Sequence, residues 1–314
     1  NISSSDEEII KSFEKIDKIK NKTCLTYFDF ATLAAFDIFS KEDLDIAILE
    51  IGIGGKYDPV NLIDADLSII TNIELDHEKW LGSSLEEIGL QKAAILKPGK
   101  SAILGSGTMP ASVTSQAKKT CTYYQLNNDF LIQECDSGWS YNFLDKHFEI
   151  KGLPYGNLNR ESAASAITAF QLLSEEHIDF KSIIERTNLK GRCDVIDNFI
   201  LDVSHNPASV KNLISFVAKN YKDTKFSAIF SSMNDKDNVS IIKEISHLID
   251  EWNICSISDD RFDTESLKEL TESLTQSKIN KLNTVYSAVE RGYHEGTPQI
   301  VFGSFITVSE AYKA

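Results

Sequence analysis

The sequence predicts a two-domain α/β protein built on parallel sheets, with a small antiparallel β addition. Three observations point there. In both halves, short apolar β-runs alternate with helical stripes, the pattern of parallel βαβ units. From about Leu189 that alternation restarts, which places a boundary near Lys190-Gly191 and gives domains 1–189 and 190–314. Ahead of that boundary, residues 121–152 turn short, aromatic and alternating, as an antiparallel meander does. At 314 residues the chain has room for two domains, on a prior of about 100–200 residues each.

Each element follows from its local pattern. Ser4 and Ser5 ahead of Glu7 and Glu8 resemble a capping box, and Ile9, Ile10, Phe13 and Ile16 form a helical stripe within residues 3–19. After the polar turn Lys20–Lys22, TYFDFATLAAFDIFS reads as a second helix with Phe28, Leu33 and Phe36 inward. Asp45–Ile51 reads as the first strand, with Gly52, Gly54 and Gly55 in the loop after it. Leu67–Ile73 is the next strand, Leu81–Leu96 a helix closed by Lys97-Pro98-Gly99, and Ser101–Leu104 a third strand. TYYQL, FLIQEC, GWSYNFL and HFEIKG make the meander, with turns at Asn127-Asn128 and Asp136-Ser137-Gly138. Helices follow at Ser162–Leu173 and near Phe180–Thr187. In the second half, NFILDVS, AIFSS, WNICSIS and QIVFG read as strands. They alternate with helices near Ala208–Lys219, Val239–Leu248, Thr264–Leu274, Thr284–Arg291 and Thr307–Tyr312.

Composition narrows the classes of function. Apolar content of 42% supports a real core, and no window holds about 18 uninterrupted apolar residues. A net charge of −15 argues against a general nucleic-acid or membrane-surface binder, because phosphate backbones attract basic faces. The five cysteines, Cys24, Cys121, Cys135, Cys193 and Cys255, are scattered and form no C-x-x-C pair. A disulfide framework or zinc site is not expected, and the start of the chain does not resemble a signal peptide. A reducing, cytoplasmic setting is the expectation.

Open α/β sheets place their sites at the carboxyl ends of strands, and several polar residues fall there. Glu50 closes the first apolar run beside a glycine-rich turn, where a carboxylate can hold Mg²⁺; a solvent-facing glutamate is the plainer reading. GIGG is not G-x-G-x-x-G, which rejects a dinucleotide fingerprint. His77 in ELDHEKW is a ligand or an ordinary loop histidine, and Mg²⁺ prefers oxygen. Lys92 lies in the apolar helical run GLQKAAIL, where it must snorkel or find a partner; a neutral amine there would form an anionic carbamate with CO₂. In DVSHNP, Asp202 and His205 follow a strand and precede a helix, so they contact a polar substrate or phosphate, or form a plain turn and cap. Arg192 in KGRCD offers a planar fork suited to phosphate, or is an exposed linker arginine. DKD at Asp235–Asp237 after AIFSSM reads as a site loop or a solvated one.

Taken in order, ILEIGIGGKYDPVN, TNIELDHEKWLG, QKAAILKPGK, GRCDVI, LDVSHNP, MNDKD and FGSFITVSEA resemble the folylpolyglutamate synthases and dihydrofolate synthases, folate members of the Mur ligase superfamily. The bifunctional bacterial enzyme is the nearest in kind, and the resemblance spans nearly the whole chain. It implies a Mur-ligase-like fold: a parallel-sheet ATPase core and a Rossmann-like C-terminal domain. It also implies an acyl-phosphate route, in which a pteroate or folate carboxylate attacks the γ-phosphate of ATP and the amine of L-glutamate then displaces phosphate. By the resemblance Glu50 and His77 bind Mg²⁺, Lys92 is carbamylated and catalytic, and K⁺ is a further candidate cation. Arg192, Asp202, Ser162 and Asn206 meet the nucleotide, with His205 catalytic beside it. Asp58, Asn61, Lys236 and Ser304 meet substrate. The implied partners are dihydropteroate, folates, L-glutamate and ATP, for a cytoplasmic monomer.

Departures from the family pattern stand beside these expectations. Lys56 occupies the arginine position of GGR-x-D-x-x-N, keeping the charge without the bidentate fork. Ser162 stands where an asparagine often meets adenine and lacks its paired donor and acceptor. Phe28-Asp29 replaces Phe-Glu. No G-x-x-x-x-G-K-[ST] occurs, although the family carries one upstream of the Glu50 position. Either the chain represents part of a longer enzyme, which the non-Met start and the joint presence of Glu50, His77 and Lys92 favour, or it is a P-loop-less, non-catalytic folate-binding paralogue. On its own the chain is expected to turn over no ATP. A Mur-type ligase acting on a UDP-linked cell-wall substrate is the alternative within the superfamily; LTYFDF and WLG favour the folate branch.

Overall fold

Helix α1 (Asp6–Lys20) starts at a reciprocal capping box, in which Ser5 Oγ accepts the Glu8 N–H and the Glu8 carboxylate accepts the Ser5 N–H. Thr26 and Asp29 open α2 (Tyr27–Phe39) in the same way. The two helices pack with Phe13 and Phe30 edge to face at 5.2 Å. Beneath them, buried Asp37 accepts from Ser12 Oγ at 3.0 Å and pairs with Lys15 and Lys41. Lys15 first, then Lys41, hold its carboxyl well below the usual carboxylate range. Leu33 and Phe36 are half-buried as expected, but Phe28 is exposed. Thr32, Ala34 and Asp37 form the buried stripe of α2, while Phe28 turns toward the glycine loop, where a Cβ at Gly52 would come within 2.6 Å of its ring.

The computed structural model describes residues 3–136, 138–154 and 158–314; of the expected turn at Asp136-Ser137-Gly138, Ser137 lies outside the described residues. Asp45–Ile51, expected as the first strand, has no ladder partner among the described residues, and Ile46 and Ile48 are exposed. Apolar composition marks a stretch suited to a strand, yet a strand exists only where a neighbour pairs its backbone.

The first parallel sheet is β1 (Leu67–Ile70), β2 (Ser101–Leu104) and β3 (Thr122–Gln125), in that order, with Leu67 opposite Ser101 and Ser101 opposite Thr122. The helix expected over residues 81–96 is two: α3 (Glu78–Leu81) and α4 (Leu85–Ala93). Gly82, at φ 113°, breaks the run, and Ser84 caps α4 in a box with Glu87. Helix α5 (Ala111–Thr120) carries the crossover that a parallel pair needs. It therefore sends TYYQ into this sheet as β3 rather than into the meander. Ile70, Ala93, Leu96, Ala102, Leu104, Val113 and Ala117 form the core here. The remaining meander strands, β4 (Phe130–Cys135), β5 (Gly138–Phe143) and β6 (Phe148–Leu153), make their own sheet in sequence order. Helices α6 (Arg160–Leu173) and α7 (Phe180–Arg186) follow.

The C-terminal half forms a six-stranded sheet. Its strands are β7 (Asp194–Ile196), β8 (Phe199–Leu201), β9 (Phe226–Phe230), β10 (Ile249–Cys255), β11 (Lys278–Leu282) and β12 (Gln299–Phe302). Their spatial order is β11-β10-β9-β12-β8-β7, all parallel except the β7–β8 pair. The intervening helices are α8 (Pro207–Asn220), α9 (Asn238–Ile245), α10 (Thr264–Leu274), α11 (Val285–Glu295) and α12 (Phe305–Ala311). Val210 and Leu213 of α8, Ile241 and Ile245 of α9 and Leu267 of α10 pack in one apolar layer. Val285 and Val289 of α11 and Val308 and Ala311 of α12 pack in the other. Strands β7 and β11 were not legible: one is three residues long, the other is the polar edge run KINKL, as sheet edges require. Because β12 returns between β9 and β8, connections diverge around it, and the carboxyl ends of β8, β9 and β12 flank a topological switch point.

By backbone contacts the described chain divides into two compact units. One runs to Ile132 and includes Asn142–Phe148 and Ala164–Glu175; the other comprises Gln133–Tyr141, Glu149–Ala163 and Glu176–Ala314. Among the described residues, no helix is long and apolar enough to cross a membrane.

Candidate functional site

In the first unit, the polar residues of interest lie in loops and at helix ends. Glu50 is exposed at the end of the unpaired apolar run. The loop after β1 holds Asn72, whose side-chain amide donates to Glu74 Oε1 at 2.6 Å, and ends at His77. His77 sits in the left-handed region at φ 53° as the residue before α3, with Nε2 4.0 Å from Asp76 Oδ2. Among the described residues no group of three His, Cys, Asp or Glu side chains is placed to hold a metal ion. That donor set suits Mg²⁺, which keeps several waters and takes one or two protein oxygens plus substrate phosphate, better than a metal needing a full protein cage. Lys92 is half-buried in the last turn of α4, and its ammonium has no counter-ion among the described residues. A C-terminal helix turn favours a cation, but only a ligand or a covalent change would complete its pairing.

The glycine loop between these elements is held by Asp58. Its Oδ2 accepts the Ile53 N–H and its Oδ1 the Val60 N–H, each at 2.9 Å, so this buried carboxylate fastens the loop at both ends. Gly55, at φ 156°, packs so close to α4 that a Cβ would lie 2.9 Å from the Gln91 carbonyl oxygen. Asn61 donates to the Ala94 carbonyl at 3.4 Å. Together these contacts shape a cavity of about 600 Å³ between the loop, the start of α2 and α3. Phe28, Asp29, Tyr57, Asp58 and Trp80 line it. A smaller cavity beside it is lined by Lys56, Tyr57, Asp58 and Asn61; the Lys56 ammonium lies 5.0 Å from the Tyr57 ring centroid. Tyr57 and Trp80 are each about four-fifths exposed. Large aromatics left open around a concave wall are what a flat, partly apolar ligand needs. Sequence reasoning missed this aromatic rim, because a helical stripe does not distinguish a core phenylalanine from one that turns to a cavity.

In the second unit the expected residues collect at the carboxyl ends of β8 and β12. Asp202 is buried; its Oδ2 accepts the Cys193 N–H at 2.8 Å, and its Oδ1 accepts the Ser204 N–H at 2.9 Å and the Ser204 hydroxyl. Its carboxylate is an internal anchor that fastens the Arg192 turn to the end of β8. Burial and the neighbouring Asp202 carboxylate push the Cys193 thiol far up, which keeps it protonated and inert. Asn206 caps α8, accepting the Ser209 N–H at 2.8 Å ahead of Pro207, and Ser304 caps α12, accepting the Thr307 N–H at 3.0 Å. His205 Nδ1 lies 2.9 Å from the Val203 carbonyl oxygen, so Nδ1 carries the proton and Nε2 is the basic nitrogen of the neutral ring. Arg192 is exposed, with its guanidinium 5.7 Å from the Phe305 ring centroid. Lys236 is half-buried in the loop after β9, and Ser162 is exposed at the start of α6, donating its N–H to Asn159 Oδ1.

A doubly wound sheet with polar strand ends, following a parallel-sheet unit with a glycine loop, is the arrangement of the Mur-type glutamate ligases. The family model described as Mur ligase, glutamate ligase domain matches residues 186–305. The dihydrofolate synthase/folylpolyglutamate synthase of Buchnera aphidicola subsp. Schizaphis graminum is 32% identical over 322 residues, which cover 98% of this chain and 75% of the relative. Among solved structures, the Escherichia coli protein in complex with DHPP and ADP superposes with a TM-score of 0.92 at 27% identity, covering 99% of this chain and 76% of that one. The bifunctional Yersinia pestis enzyme complexed with AMPPNP and Mn ion gives 0.89 at 30% identity, covering 99% and 76%. The chain belongs to the dihydrofolate synthase/folylpolyglutamate synthase family.

Proposed function

We propose that the enzyme this chain represents performs the ATP-dependent ligation of L-glutamate to dihydropteroate, to folates or to both, in folate biosynthesis, through an acyl-phosphate intermediate. The observation that carries this reading is the aromatic cavity of Phe28, Tyr57 and Trp80 in a chain of this family. A pteridine ring system is flat and hydrogen-bonding at its edge; the three rings supply stacking faces, and Asp29 supplies an edge acceptor. In the first unit Glu50 and His77 would hold Mg²⁺, which when bound supplies charge neutralisation for phosphate transfer. Carbamylated Lys92 would add an anionic oxygen donor there, and K⁺ would be a further cation. In the second unit the Arg192 fork binds phosphate oxygens, and His205 Nε2 offers a base toward the incoming amine of glutamate. Asp202, Asn206 and Ser304 hold the backbone that presents these groups. The functional halves are residues 1–189 and 190–314, and the protein is a cytoplasmic monomer. Complementation of a folate-synthase-deficient strain by the reading frame encoding this chain tests the proposal; growth supports it, and a soluble, expressed product that fails to restore growth refutes it. Intact-mass measurement under non-denaturing conditions, compared with Lys92→Ala, tests for the carbamate, which adds the mass of one CO₂, about 44 Da.

A further inference from the structure

Helix α12 touches the Arg192 turn with both of its ends. At its C-terminal end, Tyr312 Oη accepts the Gly191 N–H at 2.6 Å and donates to Asp194 Oδ2 at 2.5 Å. At its start, Phe305 lies 5.7 Å from the Arg192 guanidinium carbon and 5.8 Å from the His205 ring, inclined at 46°. The backbone of Arg192 is fixed on both sides. Gly191, at φ 71°, accepts the Val203 N–H on its carbonyl at 2.8 Å, and Cys193, at φ 47°, donates its N–H to Asp202. A Cβ at Gly191 would stand 2.9 Å from Val203 Cγ1, so the turn sits against β8 and α12 with no slack. Those contacts hold the backbone and leave the long arginine side chain exposed, where its rotamer entropy opposes a fixed fork.

Phe305 is 58% exposed, so burial in the apolar layer does not explain its ring. Its neighbour Ser304 is almost fully buried and caps the helix, which fixes the direction in which the phenyl leaves the backbone. The ring thus stands as a post beside two cation-capable side chains, and an aromatic face attracts both a guanidinium and an imidazolium. We propose that Phe305 is a positioning residue: its ring holds the Arg192 fork and the His205 imidazole as one unit at the carboxyl ends of β8 and β12, ready for a polyphosphate. The inference rests on the proposed nucleotide role of Arg192, but the ring contact itself does not.

Two readouts separate those layers. In the ligand-free protein, Phe305→Leu shifts the Arg192 Nε–Hε and His205 ring NMR signals and raises the mobility of the former, while Phe305→Tyr keeps both near wild type. With ATP and Mg²⁺ as the titrant, Phe305→Leu weakens affinity by about 10-fold, the upper range of an aromatic–cation contact, with an unchanged melting temperature. In an Arg192→Ala background the same substitution changes ATP affinity by less than about 2-fold, because the ring then has no fork to hold. NMR signals unmoved by Phe305→Leu, or an undiminished effect without Arg192, overturn the proposal. Signals that move in a protein that binds no ATP uphold the positioning and refute the functional reading instead.

Discussion

The two units treat their polar groups in opposite ways. At the ends of β8 and β12, Asp202, Asn206 and Ser304 accept from the protein's own backbone, and Arg192 and Phe305 stand exposed beside them. In the first unit, Glu50 and Lys92 have no partner among the described residues, and Tyr57 and Trp80 stand open beside a cavity. Internally satisfied groups are framework, because a buried polar atom left unpaired costs more than a made bond returns. Open ones mark where a ligand completes the pairing. A residue type found at a strand end therefore does not identify its role; the direction of its hydrogen bonds does.

The largest effect is expected at the open side. Lys92→Ala abolishes complementation by the encoding reading frame, a loss of more than about 100-fold as for removal of a charge-stabilising group, while the melting temperature hardly moves. A large fall in melting temperature would instead make Lys92 framework. Next, Trp80→Ala and Phe28→Leu weaken dihydropteroate binding by about 10-fold or more, as for an aromatic contact anchor, and leave ATP affinity untouched; calorimetric titration of both ligands checks this.

The closed side answers in stability. Asp202→Asn turns an amide N–H₂ toward the Cys193 or Ser204 donors and lowers unfolding stability by about 2 kcal/mol, read by urea denaturation. Tyr312→Phe removes the hydroxyl between Gly191 and Asp194, for a loss of about 1 kcal/mol. Burial, then the bond to Asp194, pushes the Tyr312 phenol up to about 12. A raised folded value means the hydroxyl's contribution is whole below the unfolded value of about 10 and fades as pH climbs from there toward 12. Wild type and Tyr312→Phe should therefore converge in stability across that window, and a constant gap would contradict the assignment.

Much of this was legible in the sequence because the signals were local. The capping box ahead of α1 and the apolar strands of the second unit depend on neighbours within a few residues, and the motif series pointed to the family. The failures were non-local. Asp45–Ile51 has a strand's composition but no paired neighbour among the described residues; TYYQ pairs across a crossover helix that its own residues do not announce. Phe28 sits in a helical stripe that only the packed Gly52 loop reveals to be a cavity wall. The ligand roles that the family resemblance implies for Asp202, Asn206 and Ser304 lie beside bonds these residues make to the protein's own backbone, which local sequence does not show.

Fluorescence of Trp80 tests the central claim, that open aromatics in the first unit receive a pteridine ring, most directly. The chain has 3 tryptophans, and Trp139 and Trp252 are fully buried, so quenching by a ligand at the cavity reports Trp80. Titration with dihydropteroate should give saturable quenching that Trp80→Phe removes and that a UDP-muramyl peptide does not produce. No quenching by dihydropteroate, or equal quenching by the UDP-linked compound, would contradict the account.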